Sequence, residues 1–264
     1  MKSVDANDAG TTLRNHDQVV TEQFGSTAAA YLTSTVHSQG ADLQDIAAYA
    51  KDLQNPLALD VGSGGGHVSF ALAPHVAKVI AYDLSEQMLQ MVAGEASKRG
   101  LANLEIRQGS ADQLPFRDAT FDLICTRYSA HHWTNLPLAL AEMRRVLKPG
   151  GRCIVIDTAS PDNVLADTYL QSIELLRDAS HVRNRSLPAW RDLLNQAGFK
   201  LISDKSWKLP LQFDSWVARM RTPTERIVAI KSLWDSAPTE VQRYFELKGD
   251  YSFAIDSVLI EVEK

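Results

Sequence analysis

One short run constrains the fold of this chain more than any other: Leu57-Ala58-Leu59-Asp60-Val61-Gly62-Ser63-Gly64-Gly65-Gly66-His67-Val68. It reads as an apolar strand, a glycine-rich turn and the opening of a helix. Glycine permits positive φ and lets another group approach the backbone closely. A helix start offers N–H groups that have no partner within the helix. About twenty residues on, Val79-Ile80-Ala81-Tyr82-Asp83 reads as the next strand, ending in a carboxylate placed to accept hydrogen bonds from ribose hydroxyls. Dinucleotide enzymes use a similar turn, so the turn alone does not choose the ligand.

The alternation continues. Strands are expected at 57–61, 78–82, 104–108, 121–126 and 152–157, with helices near 66–73, 85–99 and 136–147 and a stop and turn at Pro149-Gly150-Gly151. Strands alternating with helices imply a mostly parallel sheet covered on both faces. After Asp157 a helix over 161–180 exceeds what a minimal crossover needs. A helix at 187–197 ends at Gly198, and 201–207 is a strand candidate. Two or three helices fill 213–247, broken at Thr222-Pro223 and Ala237-Pro238, and 251–262 is a last strand. Upstream, residues 1–15 read as a disordered lead. From His16 to Lys51 the pattern is helical, with apolar residues at Val19, Val20, Phe24, Ala28, Tyr31, Leu32, Leu43, Ile46, Ala47 and Ala50. The expected organisation is one domain over 16–264, whose segments 16–51, 158–187 and 210–247 form a helical cap over the carboxyl ends of the strands, where open α/β sheets bind ligands.

Composition narrows the classes. The 264 residues are 45% hydrophobic and 22% charged, ordinary for a globular chain. A net charge of −5 gives no basic footprint for nucleic acid. No apolar run approaches the ~18–20 residues of a membrane span, and the polar N-terminus lacks a signal core. Cys125 and Cys153 fall within expected strands, read as buried reduced thiols in a cytoplasmic protein. No cysteine–histidine spacing suits zinc, and no metal is expected.

The ordered series LDVGSGGGHVS, AYDLSEQML, GSADQLPF, FDLICTRYSAHHW and RVLKPGGRCIVID, spanning Leu57 to Asp157, resembles the motif series of class I S-adenosylmethionine (SAM) methyltransferases, within the UbiE-like group. The later pieces SHVRNRSLPAW, Trp207-Lys208-Leu209-Pro210, Phe213-Asp214-Ser215-Trp216 and Arg221-Thr222-Pro223 are similar to the narrower set of uncharacterised bacterial YafE and YcgJ proteins. The resemblance implies a Rossmann-like class I methyltransferase fold, with a mostly parallel seven-stranded sheet, an antiparallel last strand and a helical lid. It implies SAM as cofactor, S-adenosylhomocysteine as product, and methyl transfer to a small-molecule acceptor, with carbon methylation of an activated ring suggested by the UbiE-like group.

On that resemblance Gly62, Ser63, Gly64 and Gly66 pack against the methionine part of SAM, and Asp60 reaches its amino group through water, unless it serves only to satisfy the turn. Asp83 takes the ribose hydroxyls; the alternative is a helix cap, which Ser85 supplies by itself. Leu84 and Met88 face the adenine, or Met88 is core. Where the family often has an aspartate, Ser110 stands, so Ser110, the Ala111 N–H or Asp112 meets the adenine edge. Arg127 steers the SAM carboxylate or an acidic substrate group, or forms a surface ion pair. His131 and His132, just before Trp133, lie where the acceptor should sit, as general base or as structural residues. His181 and Arg183 point into the pocket from a lid, or into solvent. Tyr31, His37, Trp207 and Trp216 are candidates for lid packing against the ligands. Two other readings stand beside this one: a SAM-binding sensor or assembly protein without catalysis, and a nicotinamide-dependent oxidoreductase, against which the Gly62-x-Gly64-x-Gly66 spacing and the later motifs argue. Neither the acceptor nor the oligomeric state is readable in the residues.

Overall fold

The structure is a computed structural model that describes residues 13–33, 40–51 and 53–264, and of residues 26–33 the backbone. Seven strands form one sheet in the order β3-β2-β1-β4-β5-β7-β6. These are β1 (Leu57–Val61), β2 (Lys78–Asp83), β3 (Leu104–Gln108), β4 (Phe121–Arg127), β5 (Leu147–Ala159), β6 (Lys200–Leu211) and β7 (Phe253–Glu263). Pairing from β3 through β5 is parallel, and β7 runs antiparallel to both β5 and β6. The reversal of strand order between β1 and β4 opens a crevice at the carboxyl ends of the strands.

Apolar residues alternate between two faces, and both are covered. Leu59, Val61, Ile124 and Val155 pack under α5 (Leu136–Val146) and α7 (Leu187–Gln196) through Leu140, Met143, Trp190 and Leu194. Ala58, Leu123, Cys125 and Ile154 pack under α2 (Ala41–Lys51) and α3 (His67–Leu72). Beside these, α4 (Glu86–Lys98) buries Leu89, Val92 and Ala96 against Ala81. Burial of both faces explains the near-continuous apolar strands. Cys125 and Cys153 are buried free thiols, packed in the clusters on opposite faces.

Three expectations change. Strand β5 starts at Leu147, not at 152, because pairing jumps from Phe121↔Leu147 to Leu123↔Arg152 and residues 148–151 loop out between them. Strand β6 runs on to Leu211 through Pro210, which it tolerates because it is an edge strand paired only with β7. The expected cap divides. Leu43, Ile46 and Ala50 of α2 belong to the sheet core, so this helix is a structural layer. Helices α6 (Val164–Arg177), α8 (Phe213–Arg219), α9 (Thr224–Asp235) and α10 (Thr239–Tyr244) gather around Trp216, Trp234 and Phe253 at the β6–β7 end. Helix α1 (His16–Thr33) alone reaches over the crevice. Residues 1–12 of the expected lead, with His37, lie outside the described residues. Among the described residues no helix is long and apolar enough to cross a membrane.

Candidate active site

The crevice is a cleft of about 1100 Å³, including its open mouth, lined from both sides of the β1/β4 switch point. Its floor is the turn after β1. Gly62 has φ +69, and a Cβ there would fall 1.9 Å from Ser129 Oγ, so both conformation and space call for glycine. Gly62 N and Ser63 N both donate to the Tyr82 carbonyl, stitching the turn to β2. Gly64 faces open space and donates its N–H to Asp83 Oδ2 at 2.8 Å.

Asp83 ends β2, and its other oxygen accepts from Ser85 N at 2.8 Å. Ser85 does cap α4, accepting from Met88 N. The carboxylate is therefore not free of protein contacts, as the sequence reading expects; it ties the glycine turn to the start of α4. Each oxygen has accepted one backbone N–H and retains a second lone pair. Burial raises its pKa, with the Ser85 and Gly64 N–H groups working against that rise. Asp60 is more extreme. Oδ2 accepts from Ser69 N and Oγ, at 3.0 and 2.7 Å, while Oδ1 is buried with no partner among the described residues. Burial pushes its pKa up to about 7, despite those hydrogen bonds. Leu84, Met88, Ser110, Ala111 and Asp112 complete this side.

The opposite wall is brought together from distant parts of the chain. His16, Asp17, Val20 and Phe24 come from α1, and Ser129, His132, Trp133 and Asn135 from the short 3-10 turn Ala130–His132 and its flanks after β4. Phe24 meets the His132 ring edge-on, with centroids 4.9 Å apart, and His16 Nε2 donates to the His132 carbonyl at 2.9 Å. Tyr128, just before this turn, has φ +50, an uncommon conformation for a bulky residue that is concentrated at functional sites.

A family model described as a methyltransferase domain matches residues 59–155. The uncharacterised YafE of Escherichia coli K12 is 48% identical over 202 residues, 75% of this chain and 96% of YafE. The uncharacterised methyltransferase YcgJ of Bacillus subtilis is 33% identical over 90% of this chain and 96% of its own. The YcgJ crystal structure matches with a TM-score of 0.81, across 85% of this chain and 98% of that one. The chain belongs to the class I SAM-dependent methyltransferases. A further relative, the ubiquinone/menaquinone biosynthesis C-methyltransferase UbiE of Cellvibrio japonicus, is 39% identical over 42% of this chain and 48% of UbiE.

Within this methyltransferase the cleft gathers Asp60, Gly62, Ser63, Gly64, Asp83, Leu84, Met88, Ser110, Ala111, Asp112, Arg127 and His132 of the expected site residues. Others stand elsewhere. Gly66 lies below the turn, where a Cβ would meet Val92 at 2.8 Å. Arg127 touches the cleft, but its guanidinium makes a bidentate pair with Asp42 of α2, the two side chains 5% and 6% exposed, and stacks on Tyr128. That pair is buried, not at the surface, and a guanidinium so held is not a free steering group. His131 is turned away from the cleft: Nδ1 pairs with Asp157 Oδ1 at 2.6 Å. His181 is buried against Gln171 Oε1 at 2.9 Å, and burial drives its pKa far down. Arg183 is half exposed in an ion pair with Asp167, so neither residue enters the cleft from a lid. Trp216 is core of the α6/α8 cluster, and Trp207 packs on the α2 face of the sheet. Tyr31 lies on α1, its side chain outside the described set.

Sequence reasoning missed His16, Asp17, His67 and Tyr128 in the lining, and Asp42, Asp157 and Asp178 behind it. For Asp157 a signal existed. The run Cys153-Ile154-Val155-Ile156-Asp157 ends a strand with an acid, as Asp60 and Asp83 do near the ends of theirs.

Proposed function

We propose that this chain binds SAM in the cleft and transfers its methyl group to a small-molecule acceptor, with carbon methylation of an activated ring as the favoured chemistry. The observation that carries the reading is the pairing, in one cleft, of unused acidic acceptor capacity with an apolar wall. Asp83 keeps one lone pair on each oxygen, matching the two adjacent hydroxyls of a ribose. Asp60 Oδ1 is a buried oxygen without a donor, and an ammonium group suits it. Leu84 and Met88 suit an adenine face, Ser110, Ala111 and Asp112 its polar edge, and the Gly62–Gly64 backbone the methionine chain.

Bound SAM supplies a methyl already activated by its sulfonium. The chain's own work is then to orient the acceptor and exclude water. Val20, Phe24 and Trp133 offer a planar acceptor an apolar surface, and of the adjacent histidine pair His132 lines that wall while His131 turns to Asp157. Of the expected pair, the base role therefore falls to His132. Helix α1 acts as the lid over this half. The UbiE relative, named as a C-methyltransferase, supports carbon as the acceptor atom. Two buried free thiols support a reducing compartment such as the cytoplasm.

Calorimetry is the first test. SAM and S-adenosylhomocysteine should bind with micromolar-scale affinity and NAD should not; tight NAD binding without SAM binding would end the proposal. Incubation of the protein and methyl-labelled SAM with a small-molecule extract should then transfer label. SAM binding with no label transferred to any extract would favour the sensor reading.

A further inference from the structure

Behind His132 lies a polar network that cofactor binding does not use. We propose that Ser180 and Asp178, on the turn after α6, and Asp157, acting through His131, are positioning residues that hold His132 in one neutral tautomer, with Nδ1 protonated and Nε2 bare to receive the proton the methyl acceptor gives up. The inference rests on the methyl-transfer reading above.

The tautomer follows from the partners. His132 Nδ1 lies 3.0 Å from the Ser180 carbonyl, which only accepts, so the hydrogen sits on Nδ1. Ser180 itself is pinned: its N–H and its hydroxyl both donate to Asp178 Oδ1, at 2.8 and 2.6 Å. The same turn is clamped to the histidine pair, because Val182 N and Arg183 N both donate to the His131 carbonyl, at 2.9 and 3.0 Å. Nε2 is left without a hydrogen bond, Asp178 Oδ2 standing 4.0 Å from it.

The neutral charge follows from the neighbours. The His131 and His132 rings are 4.1 Å apart, and His131 donates from Nδ1 to Asp157 Oδ1. Burial opposes charge on His131, but Asp157 holds its pKa above the ordinary imidazole value. Burial first, and then that neighbouring charge, bring His132 down to about 4, with Asp178, the Ser180 carbonyl and Asp157 pulling the other way. Other titratable neighbours are Glu174, whose charge also raises His131, His181, within 5.9 Å of His131, and His16, whose Nε2 donates to the His132 carbonyl.

So weak a base suffices for this reaction. As the acceptor atom bonds to the methyl carbon, the carbon–sulfur bond breaks and its electron pair stays on sulfur. The methylated acceptor is momentarily cationic and strongly acidic, and its proton passes to Nε2. A histidine already protonated would have no lone pair to give and would repel the sulfonium.

The test is long-range proton–nitrogen spectroscopy on full-length protein labelled with ¹⁵N-histidine, the His132 signals being assigned by their loss in His132→Gln. Protonated Nδ1 and bare Nε2, unchanged from about pH 5 to 8, are expected. An Nε2–H tautomer, or titration within that range, overturns the proposal. Asp178→Ala should mix the tautomers, and Asp178→Asn, whose amide oxygen still accepts from Ser180, should restore one. Asp157→Asn should raise the His132 pKa toward the ordinary value; no change would remove Asp157 from the device. If Asp178→Ala does not fold, the wild-type spectrum and the two asparagine variants still decide. SAM calorimetry runs alongside. Neither Asp157 nor Asp178 lines the cleft, so affinity should hold in their variants. Failure of the wild type to bind SAM overturns the methyl-transfer reading itself, whereas SAM binding with the wrong tautomer overturns only the positioning device.

Discussion

From Asp60 to Asp83 the cleft wall consists of backbone N–H groups and two carboxylates within one strand–turn–helix–strand unit. Facing it, the wall around His132 joins segments that are far apart in the chain, His16 to His132 across 116 positions and His132 to Ser180 across 48. The first wall is local: residues close in sequence fix one another, and the glycine turn admits few alternatives. The second is assembled only when α1, the 3-10 turn and the α6–α7 connection are all docked, and each docking rests on a few hydrogen bonds and ring contacts. On the proposed function, a shared cofactor and a variable acceptor would place such demands on the two halves. On that reading the glycine-turn side has one geometry to keep, while the His132 side can change through segments that the sheet does not depend on.

The junction between the halves gives the largest expected effect. Arg127→Ala leaves Asp42 buried and unpaired, and should cost about 3–5 kcal/mol of stability in chemical unfolding. Changing Asp42→Asn as well should return part of it. A small stability loss with a large loss of SAM affinity would give Arg127 back its steering role and move it into the cofactor half. Next comes His132→Ala. If the second wall is about the acceptor, turnover should fall by about a hundredfold with SAM affinity nearly intact. Equal losses in both would dissolve the division.

On the other wall, Asp83→Ala should weaken SAM binding by roughly 1–3 kcal/mol. Because Gly64 N and Ser85 N also lose their acceptor, the unfolding midpoint should drop too. Unchanged affinity in the folded variant would mean that another residue holds the ribose.

Asp60 gives a smaller effect through pH. Its folded pKa is raised from the ordinary 3.8 to about 7, so its contribution to stability is present below the unfolded value and is lost as pH rises through about 7. An ammonium at Oδ1 favours the ionised form. SAM binding should then release a proton below pH 7 and tighten as pH climbs from about 6 to 8, by less than tenfold per unit. Asp60→Asn should flatten that dependence; a slope that survives would place the titrating group elsewhere. Smallest is the exchange contrast between the two N-terminal helices. Amide protection over His16–Thr33 should rise when SAM is added, while Ala41–Lys51, already core, should not change. Equal behaviour of both helices would make α1 another permanent layer and remove the lid.

Much of this could be read from the residues. Leu57–Val61 was legible to the residue because burial on both faces leaves a near-continuous apolar run, and the edge strand Leu104–Gln108 because half-buried Leu104 and Ile106 alternate with exposed polar residues. Asp83 and the glycines were legible because the turn and the acid lie in one contiguous unit. Leu43 and Ile46 misled, since an apolar helical stripe states that something is buried but not against what. His181 and Arg183 misled for the same reason in polar form: a charged residue beside a helix end looks alike whether it faces a ligand, Gln171 or Asp167.

The sequence by itself determined the sheet and the glycine-turn wall of the cleft, through interactions of short chain separation whose turn, spacing and residue types admit one arrangement. Only the tertiary structure decided that Arg127 answers to Asp42, that His131 turns toward Asp157, and that its neighbour His132 meets the cleft with Nδ1 tied to Ser180. A side chain's protonation, pairing and direction depend on which distant groups pack within a few ångströms of it, and that information exists only once the layers have come together.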